Sequence, residues 1–458
     1  CLAALSQDER RELLTLAGLV AKPDRHQLVR MAKAFRRAER TAAKQRDRQA
    51  LERAGLRIQR RAEVYSPLWL PPPDTEPQER PALREARACY VCKQPYREVH
   101  RYYDSMCRDC GDFNYAKREQ TADLSGRYAL VTGARVKIGY QAALKLLRAG
   151  AHVIVATRFP VDAAERYATE PDYAEFGGRL QIHGIDLRHT PSVELFARFL
   201  AERLPRLDYL LNNACQTVRR PAGFFRHLVA RETEALPTLP EPLRAPLLQH
   251  AELCRRLGDA ATPRAGDLLP AAGRVHAEGL VRSAALSQRR YLDEDFHDGD
   301  ALFPTGRYDE DRQQVDLREL NSWRLRLHEV ETPELLEVQL VNAIAPYILV
   351  ARLKPLMLRS GRRDLHVVNV SAMEGQFYRT TKTDKHPHTN MAKAALNMMT
   401  RTSAPDFVRD GIHMNAVDTG WVTDEDPAVH AARKAELGFA PPLDIIDGAA
   451  RIVDPIFS

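Results

Sequence analysis

Long apolar runs are missing from this chain. Nowhere in its 458 residues do eighteen apolar side chains follow one another, so no membrane partner is expected. No secretory pattern is seen at the start of the sequence, where a basic start followed by an apolar stretch would mark one. Aromatics are sparse, and no repeat or low-complexity run stands out beyond an Arg-rich helical stretch, which excludes solenoids and low-complexity scaffolds. Seven cysteines are too few for a disulfide-held fold of this length and suit a reducing compartment, so a cytoplasmic protein is expected.

Charge is present but uneven. Residues 1–64 hold 16 Lys/Arg against 8 Asp/Glu, an excess of 8 where the whole chain carries +7, so the remainder is close to neutral. Apolar residues at Leu28, Val29, Met31, Ala32 and Phe35, then at Ala43, Leu51 and Leu56, predict a helix over about 24–62 with a narrow apolar stripe. Such a helix packs on its own domain or touches an acidic partner. No aromatic interleaving or base-reading module accompanies it, so nucleic acid is not the expected partner. Pro71-Pro-Pro-Asp74, Pro77 and Pro81 then punctuate a linker.

Cys89-Tyr-Val-Cys92 and Cys107-Arg-Asp-Cys110 flank fourteen residues. Two such pairs at about this separation predict a four-thiolate zinc site on Cys89, Cys92, Cys107 and Cys110. Four thiolates close the metal shell, so the site is read as structural or partner-binding rather than catalytic. His100 is a substitute ligand or a surface residue.

Downstream, apolar strands alternate with helical patterns. Tyr128 to Val131 ends in Thr132-Gly133, and a helix starts near Ile138. Further strands are expected at His152 to Ala156, Leu180 to Ile185, Asp208 to Leu211, Leu365 to Val370 and His413 to Val417. Helices are expected at Ser192 to Leu204 and Pro333 to Arg359, among others. This alternation predicts an α/β fold, a doubly wound parallel sheet, preceded by the helical region and the small zinc module. A glycine turn between a strand and a helix N-terminus is a place for pyrophosphate, and ligands of such sheets gather at the carboxyl ends of the strands.

Thr132-Gly133-x-x-x-x-x-Gly139, Asp186-Leu187, Asn212-Asn213-Ala214, Asn342 and Lys393 fall in an order and spacing that resembles the short-chain dehydrogenase/reductase superfamily, over about 125–215 and 330–458. The resemblance implies a Rossmann-like fold and a nicotinamide dinucleotide. It places Thr132, Gly133, Arg135, Lys137, Ile138 and Gly139 at the pyrophosphate, Asp186 and Leu187 at the adenine, and Asn213 and Ala214 beside the ribose. It also places Lys393 at the nicotinamide ribose and Gly420 in the turn after the sixth strand. A homo-oligomer acting on a small molecule is expected on the same ground.

Departures from that pattern matter for the chemistry. Lys137 stands at the family's middle glycine, Cys215 at the glycine after Asn-Asn-Ala, Ala372 at the usual serine with Ser371 one residue early, and Thr419 at the usual proline. The tyrosine expected four residues before Lys393 is Thr389. A phenol can be tuned to give a proton near neutral pH; a threonine hydroxyl cannot. Asn342, Ser371 and Lys393 are therefore the retained polar groups, and the replacement proton donor is sought among Tyr378, His388, His386 and Cys215, each of which also has a purely packing role open to it. Otherwise the chain binds cofactor without the usual reduction and serves as a scaffold.

Arg158 follows the second strand of the sheet, where a carboxylate would meet the NAD ribose and an arginine suits a 2′-phosphate. With Arg135 and Lys137 nearby, NADP is expected, NAD being the alternative. The 129 positions from Asn213 to Asn342 hold an insertion over about 216–330, read as a lid over the site or an outward interaction surface. Within it Asp316, Arg318, Asn321 and Trp323 line a pocket or form a local network. The expected parts are thus a basic helical region and linker (1–82), a zinc module (83–122), and a Rossmann-like domain (123–458). A protein partner is expected, if anywhere, at the zinc module or the insertion. The chain opens on Cys1 and stops at Ser458, just after the helix that precedes the family's last strand, so truncation at both ends is expected.

Overall fold

The structure is a computed structural model. It describes all residues except 1–5, 22–24, 61–81, 234–235, 259–276, 298, 310, 380–381 and 424. The proline-bearing linker and part of the insertion lie outside the described residues. The chain divides into two compact units, Cys1–Ile58 with Pro72–Gly111, and Gln59–Pro71 with Asp112–Ser458.

In the first unit the expected long helix is two pieces, Arg25–Glu52 and Gly55–Gln59, preceded by Gln7–Ala21. The break falls where the Gly55 and Leu56 amides turn to the carbonyls of Arg101 and Tyr102, with the Tyr102 ring against Gly55. The predicted apolar stripe is not buried along its first half: Leu28, Val29, Met31 and Phe35 are exposed, and packing begins only at Ala50, Ala54 and Leu56. An antiparallel hairpin follows, β1 (Ala82–Ala88) and β2 (Pro95–Glu98).

In the second unit six parallel strands form one sheet: β3 (Tyr128–Thr132), β4 (His152–Thr157), β5 (Leu180–Gly184), β6 (Tyr209–Asn212), β7 (Leu365–Ser371) and β8 (Ile412–Asp418). Their order is β5-β4-β3-β6-β7-β8, the doubly wound arrangement expected from the sequence. Alternation decides which face each side chain serves. Ala129, Val131, Val153, Val155, Val368 and Val370 join a core with helices Lys137–Arg148 and Ile445–Phe457. Leu130, Ile154, Leu210 and Val367 join the opposite core with helices Thr190–Arg203 and Ala345–Leu358. Both faces are covered, which is why these strands read as continuous apolar runs.

Residues 332–358 form one continuous helical run. By length and composition it is apolar enough to cross a membrane, although no eighteen consecutive residues are apolar. Its apolar face, including Leu349, Val350, Leu353 and Leu356, is core. The run widens to a π-helical turn at Leu340–Ile344. Pro346 has no N–H to give the carbonyl of Asn342 four residues back, so a regular α-helical bond cannot form there.

Candidate active site

The order of strands reverses between β3 and β6, and the crevice at their carboxyl ends is where a doubly wound sheet takes a ligand. Its floor is tightly laced. Thr132 Oγ1 accepts from the amides of Asn213 and Ala214 at 3.1 and 3.0 Å, and Asn213 Nδ2 donates to the carbonyls of Thr132 and Gly133 at 3.0 and 3.2 Å. Gly133 has φ +68°, and a Cβ there would lie 2.7 Å from the Ala214 Cα; a Cβ at Gly139 would lie 2.2 Å from Asn213 Nδ2. Both glycines let chain segments meet each other, so the space beside Gly133 belongs to Ala214. Lys137, at the family's middle glycine, adopts φ +54°, the backbone region that explains a glycine at that position. Ile138 is half-buried against the core and touches the last helix at Gly448.

The basic residues divide in use. Arg135 is buried and bonded to Asp162 at 2.6 Å, so it is spent within the chain. Lys137 Nζ stands 3.9 Å from Asp311 and 4.0 Å from Glu425, acids that hold its pKa above the ordinary value against the pull of burial. Arg158 lies over the Phe225 and Phe159 rings, 4.8 and 5.7 Å from their centroids, and makes no ion pair among the described residues. Burial, then the neighbouring Arg188, lowers its pKa to about 10, which leaves it charged at neutral pH.

Asp186 is fully buried. Burial works to raise its pKa, yet Arg188 holds the carboxyl below the usual range. Arg188 also reaches Glu337, which accepts from Gln216 Nε2 at 2.9 Å, and Gln216 in turn exchanges two bonds with Asn342. The adenine contact implied for Asp186 is therefore already taken by a side chain, and Leu187 beside it is core. The insertion closes this end: Gly279 accepts from the Asp186 amide at 2.8 Å, and Ser283 Oγ donates to the Arg158 carbonyl at 2.9 Å.

At the end of β7, Lys393 Nζ donates to the Val370 carbonyl at 2.7 Å, next to Ser371. Ser371 Oγ and Thr389 Oγ1 are both buried and have no hydrogen-bond partner among the described residues. Asn342 sits on the π-helical turn, which packs against the same helix, Pro387–Phe407, that carries Thr389 and Lys393. Gly420 has φ +76° and bonds to Asp418. The proposed proton donors separate clearly. Tyr378 is 96% exposed, so it stands in solvent and does not line the site. Cys215 is exposed beside Thr217. His386 stacks on Trp323 at 3.9 Å, and its Nδ1 faces Asn390. His388 is buried, with Glu334 of helix Thr332–Gln339 3.5 Å away. Glu334 was not found from the sequence, because nothing in a helical stretch far upstream pairs it with His388.

The polar-aromatic group of the insertion forms a local network. Arg318 grips Asp316 and Glu294 and donates to the Arg219 carbonyl, and Arg219 holds Asp295. Asn321 caps its own short turn and bonds to the Glu425 carbonyl.

In the other unit the four cysteine sulfurs lie within 4.8 Å of one another. Cys92 and Cys107 are 3.7 Å apart, near the ~3.8 Å edge of a tetrahedron with metal–sulfur bonds of about 2.3 Å. Burial opposes ionisation of Cys89, but backbone amides of Cys107, Cys92 and Val91 bring it down to about 6; burial and the neighbouring thiols push Cys110 up to about 12. Four thiols this close fit a soft divalent cation that removes the competition. His100 uses Nδ1 to accept from the amides of Tyr102 and Tyr103 and packs on Gly111, so it is a structural residue.

Residues 127–235 match the family model described as short chain dehydrogenase, and residues 321–437 match that of Enoyl-(Acyl carrier protein) reductase. The two leave residues 236–320, the middle of the insertion, unmatched. The chain belongs to the short-chain dehydrogenase/reductase superfamily. It is 33% identical over 387 residues to Uncharacterized protein R665 of Acanthamoeba polyphaga mimivirus, covering 81% of this chain and 71% of that protein. Other similarities are shorter. A probable oxidoreductase of Streptomyces antibioticus is 45% identical over 20% of this chain and 30% of its own length, and mouse retinol dehydrogenase 11 is 36% identical over 23% and 34%. Among solved structures, the Pseudomonas aeruginosa RhlG/NADP active-site complex is 18% identical, covering 72% of this chain and 90% of that one, with a TM-score of 0.43; at that score the likeness carries no argument.

Proposed function

We infer that this short-chain dehydrogenase/reductase is an NADP(H)-dependent oxidoreductase that transfers hydride at a carbonyl or alcohol carbon of a small molecule. The observation that carries the reading is the pair of buried, partnerless hydroxyls, Ser371 and Thr389, beside Lys393. Orphaned buried hydroxyls cost stability unless a polar ligand meets them. Retained polar groups at a strand end are where such a ligand is held. The glycine turn and the amino end of helix Lys137–Arg148 fit a pyrophosphate, and the unpaired Arg158 guanidinium fits a 2′-phosphate. Asp186, held by Arg188, does not fit the adenine. When bound, the dinucleotide supplies the hydride. Lys393 and Asn342 orient substrate and ribose, and the insertion excludes water. The four cysteines hold zinc as a structural element, and a homo-oligomer in the cytoplasm suits the family.

A second reading is a cofactor-free scaffold. It is favoured by the insertion residues seated on Asp186 and Arg158 and by the two acids beside Lys137, which oppose a pyrophosphate. Fluorescence titration with NADPH and NADH, followed by NADPH oxidation over a panel of aldehydes and ketones, separates the two. Saturable NADPH binding with turnover supports the enzyme. Binding without turnover supports the cofactor-binding scaffold, and no binding of either nucleotide the cofactor-free one.

A further inference from the structure

We propose that His388, oriented by Glu334, is the proton-transferring group of this site in place of the tyrosine that Thr389 replaces. The inference rests on the oxidoreductase reading above. His388 is 2% and Glu334 4% exposed, on different helices, with imidazole Nε2 3.5 Å from the carboxylate Oε1. That separation is longer than a working hydrogen bond. Among the described residues both imidazole nitrogens and Glu334 Oε1 have no hydrogen-bond partner. Catalytic contacts in a ligand-free site are often long and tighten when substrate arrives.

Partnerless nitrogens alone do not mark the ring, since His183, fully buried among Phe196, Phe199 and His250, shares them; what sets His388 apart is a buried carboxylate 3.5 Å from Nε2. In His388 it is the backbone that is tied down. Its carbonyl accepts from Gln339 Nε2 at 3.1 Å, which fixes the first turn of helix Pro387–Phe407 and leaves the ring free. Thr389, the next residue on the helix, and Ser371 at the end of β7 are two further buried hydroxyls without partners. The charged and titratable groups around the pair are Arg318, which feels the Glu334 charge, His386, which feels that of His388, and Lys393 on the same helix, held on the Val370 carbonyl. The other candidates are excluded by position: Tyr378 in solvent, Cys215 at the surface, His386 stacked on Trp323.

The step balances. In reduction the carbonyl carbon gains hydride from the dihydronicotinamide, and its π electrons move to oxygen. The oxygen takes a proton from the His388 imidazolium, leaving a neutral imidazole that solvent reprotonates. Glu334 stabilises the imidazolium before transfer and fixes the ring. Alcohol oxidation is the reverse, with neutral His388 as base.

The test uses the full chain and His388→Gln, Glu334→Gln and Glu334→Asp. NADPH titration should give unchanged affinity in all. In aldehyde and ketone reduction followed from about pH 5 to 9, His388→Gln should lower kcat by at least about 100-fold with KM for NADPH held. Loss of the carboxylate removes the group that faces Nε2, so Glu334→Gln should lower kcat about ten-fold or more with KM for NADPH held, and Glu334→Asp should restore much of it. Histidine ring NMR of the protein without nucleotide should show the His388 signals shifting on Glu334→Gln. It decides the matter if His388→Gln fails to fold. An active wild type whose rate survives His388→Gln, or His388 ring signals indifferent to Glu334→Gln, overturns the proposal and leaves the oxidoreductase reading standing. A wild type that binds NADPH and reduces no carbonyl overturns that reading, and this proposal with it.

Discussion

Arg188 holds both carboxylate oxygens of Asp186, with Nη2 2.6 Å from Oδ2 and Nε 3.0 Å from Oδ1. The same guanidinium reaches Glu337, so one buried cation balances two buried anions from separate elements. Removing it leaves the Asp186 carboxylate without its ion pair, while Glu337 keeps Arg219 at 3.4 Å, and breaking one such buried pair typically costs about 3–5 kcal/mol. Arg188→Met should therefore lower urea stability by about that amount. A loss below about 1 kcal/mol would show that the carboxylates find water or protons instead.

Gly133 is needed by the fold before any ligand arrives. A side chain there meets both a positive φ and the Ala214 backbone. Gly133→Val should destabilise the protein by about 2–3 kcal/mol or more without nucleotide present, as strained non-glycine positions do. Lost NADPH binding in that variant would then report unfolding, not a filled pyrophosphate site. Stability equal to wild type would contradict the packing described here.

Metal analysis of purified protein should find about one zinc per chain. Simultaneous replacement of Cys89, Cys92, Cys107 and Cys110 by Ser should abolish it and expose the hairpin to protease, because so small a module depends on its metal for folding. Zinc retained by the quadruple variant would place the metal elsewhere.

Arg158 is charged, stacked and unpaired among the described residues. Loss of a charge-assisted contact costs ~1.5–3 kcal/mol, so Arg158→Ala should weaken NADPH binding about ten-fold or more and spare NADH. Equal wild-type affinity for the two nucleotides would sink this assignment.

Glu232 of the insertion accepts from the amides of Val161 and Asp162 at the start of helix Pro160–Ala168. Burial raises its pKa to about 7 even though those amides lower it. A carboxyl with a raised folded-state pKa contributes stability that is full below its unfolded pKa and is lost as pH rises through about 7. Glu232→Gln should therefore gain on wild type between about pH 5 and 8, in unfolding curves collected across that range. A pH-independent difference between the two would mean that Glu232 is ionised throughout.

The six strands and several of the helices between them were legible because each carries its own period and punctuation. Apolar runs end in Thr132-Gly133, Asp186-Leu187 or Asn212-Asn213, while the order of the strands across the sheet is set by the fold. The four cysteines were legible for the same local reason: paired spacing brings two thiolates together whatever the surroundings. The helix break at Gly55 was not, since it depends on Arg101 and Tyr102, far along the chain.

What only the tertiary structure decided is which polar groups remain free. The sequence placed Asp186, Arg135 and Tyr378 among the functional residues by position in a pattern. The folded chain spends Asp186 on Arg188 and Arg135 on Asp162, and turns Tyr378 to solvent. It also brings Glu334 from one helix to His388 on another, 54 residues later, and leaves their atoms unpaired. A motif records which chemistry is available along the chain. Whether a charge is spent or free depends on what long-range packing sets beside it.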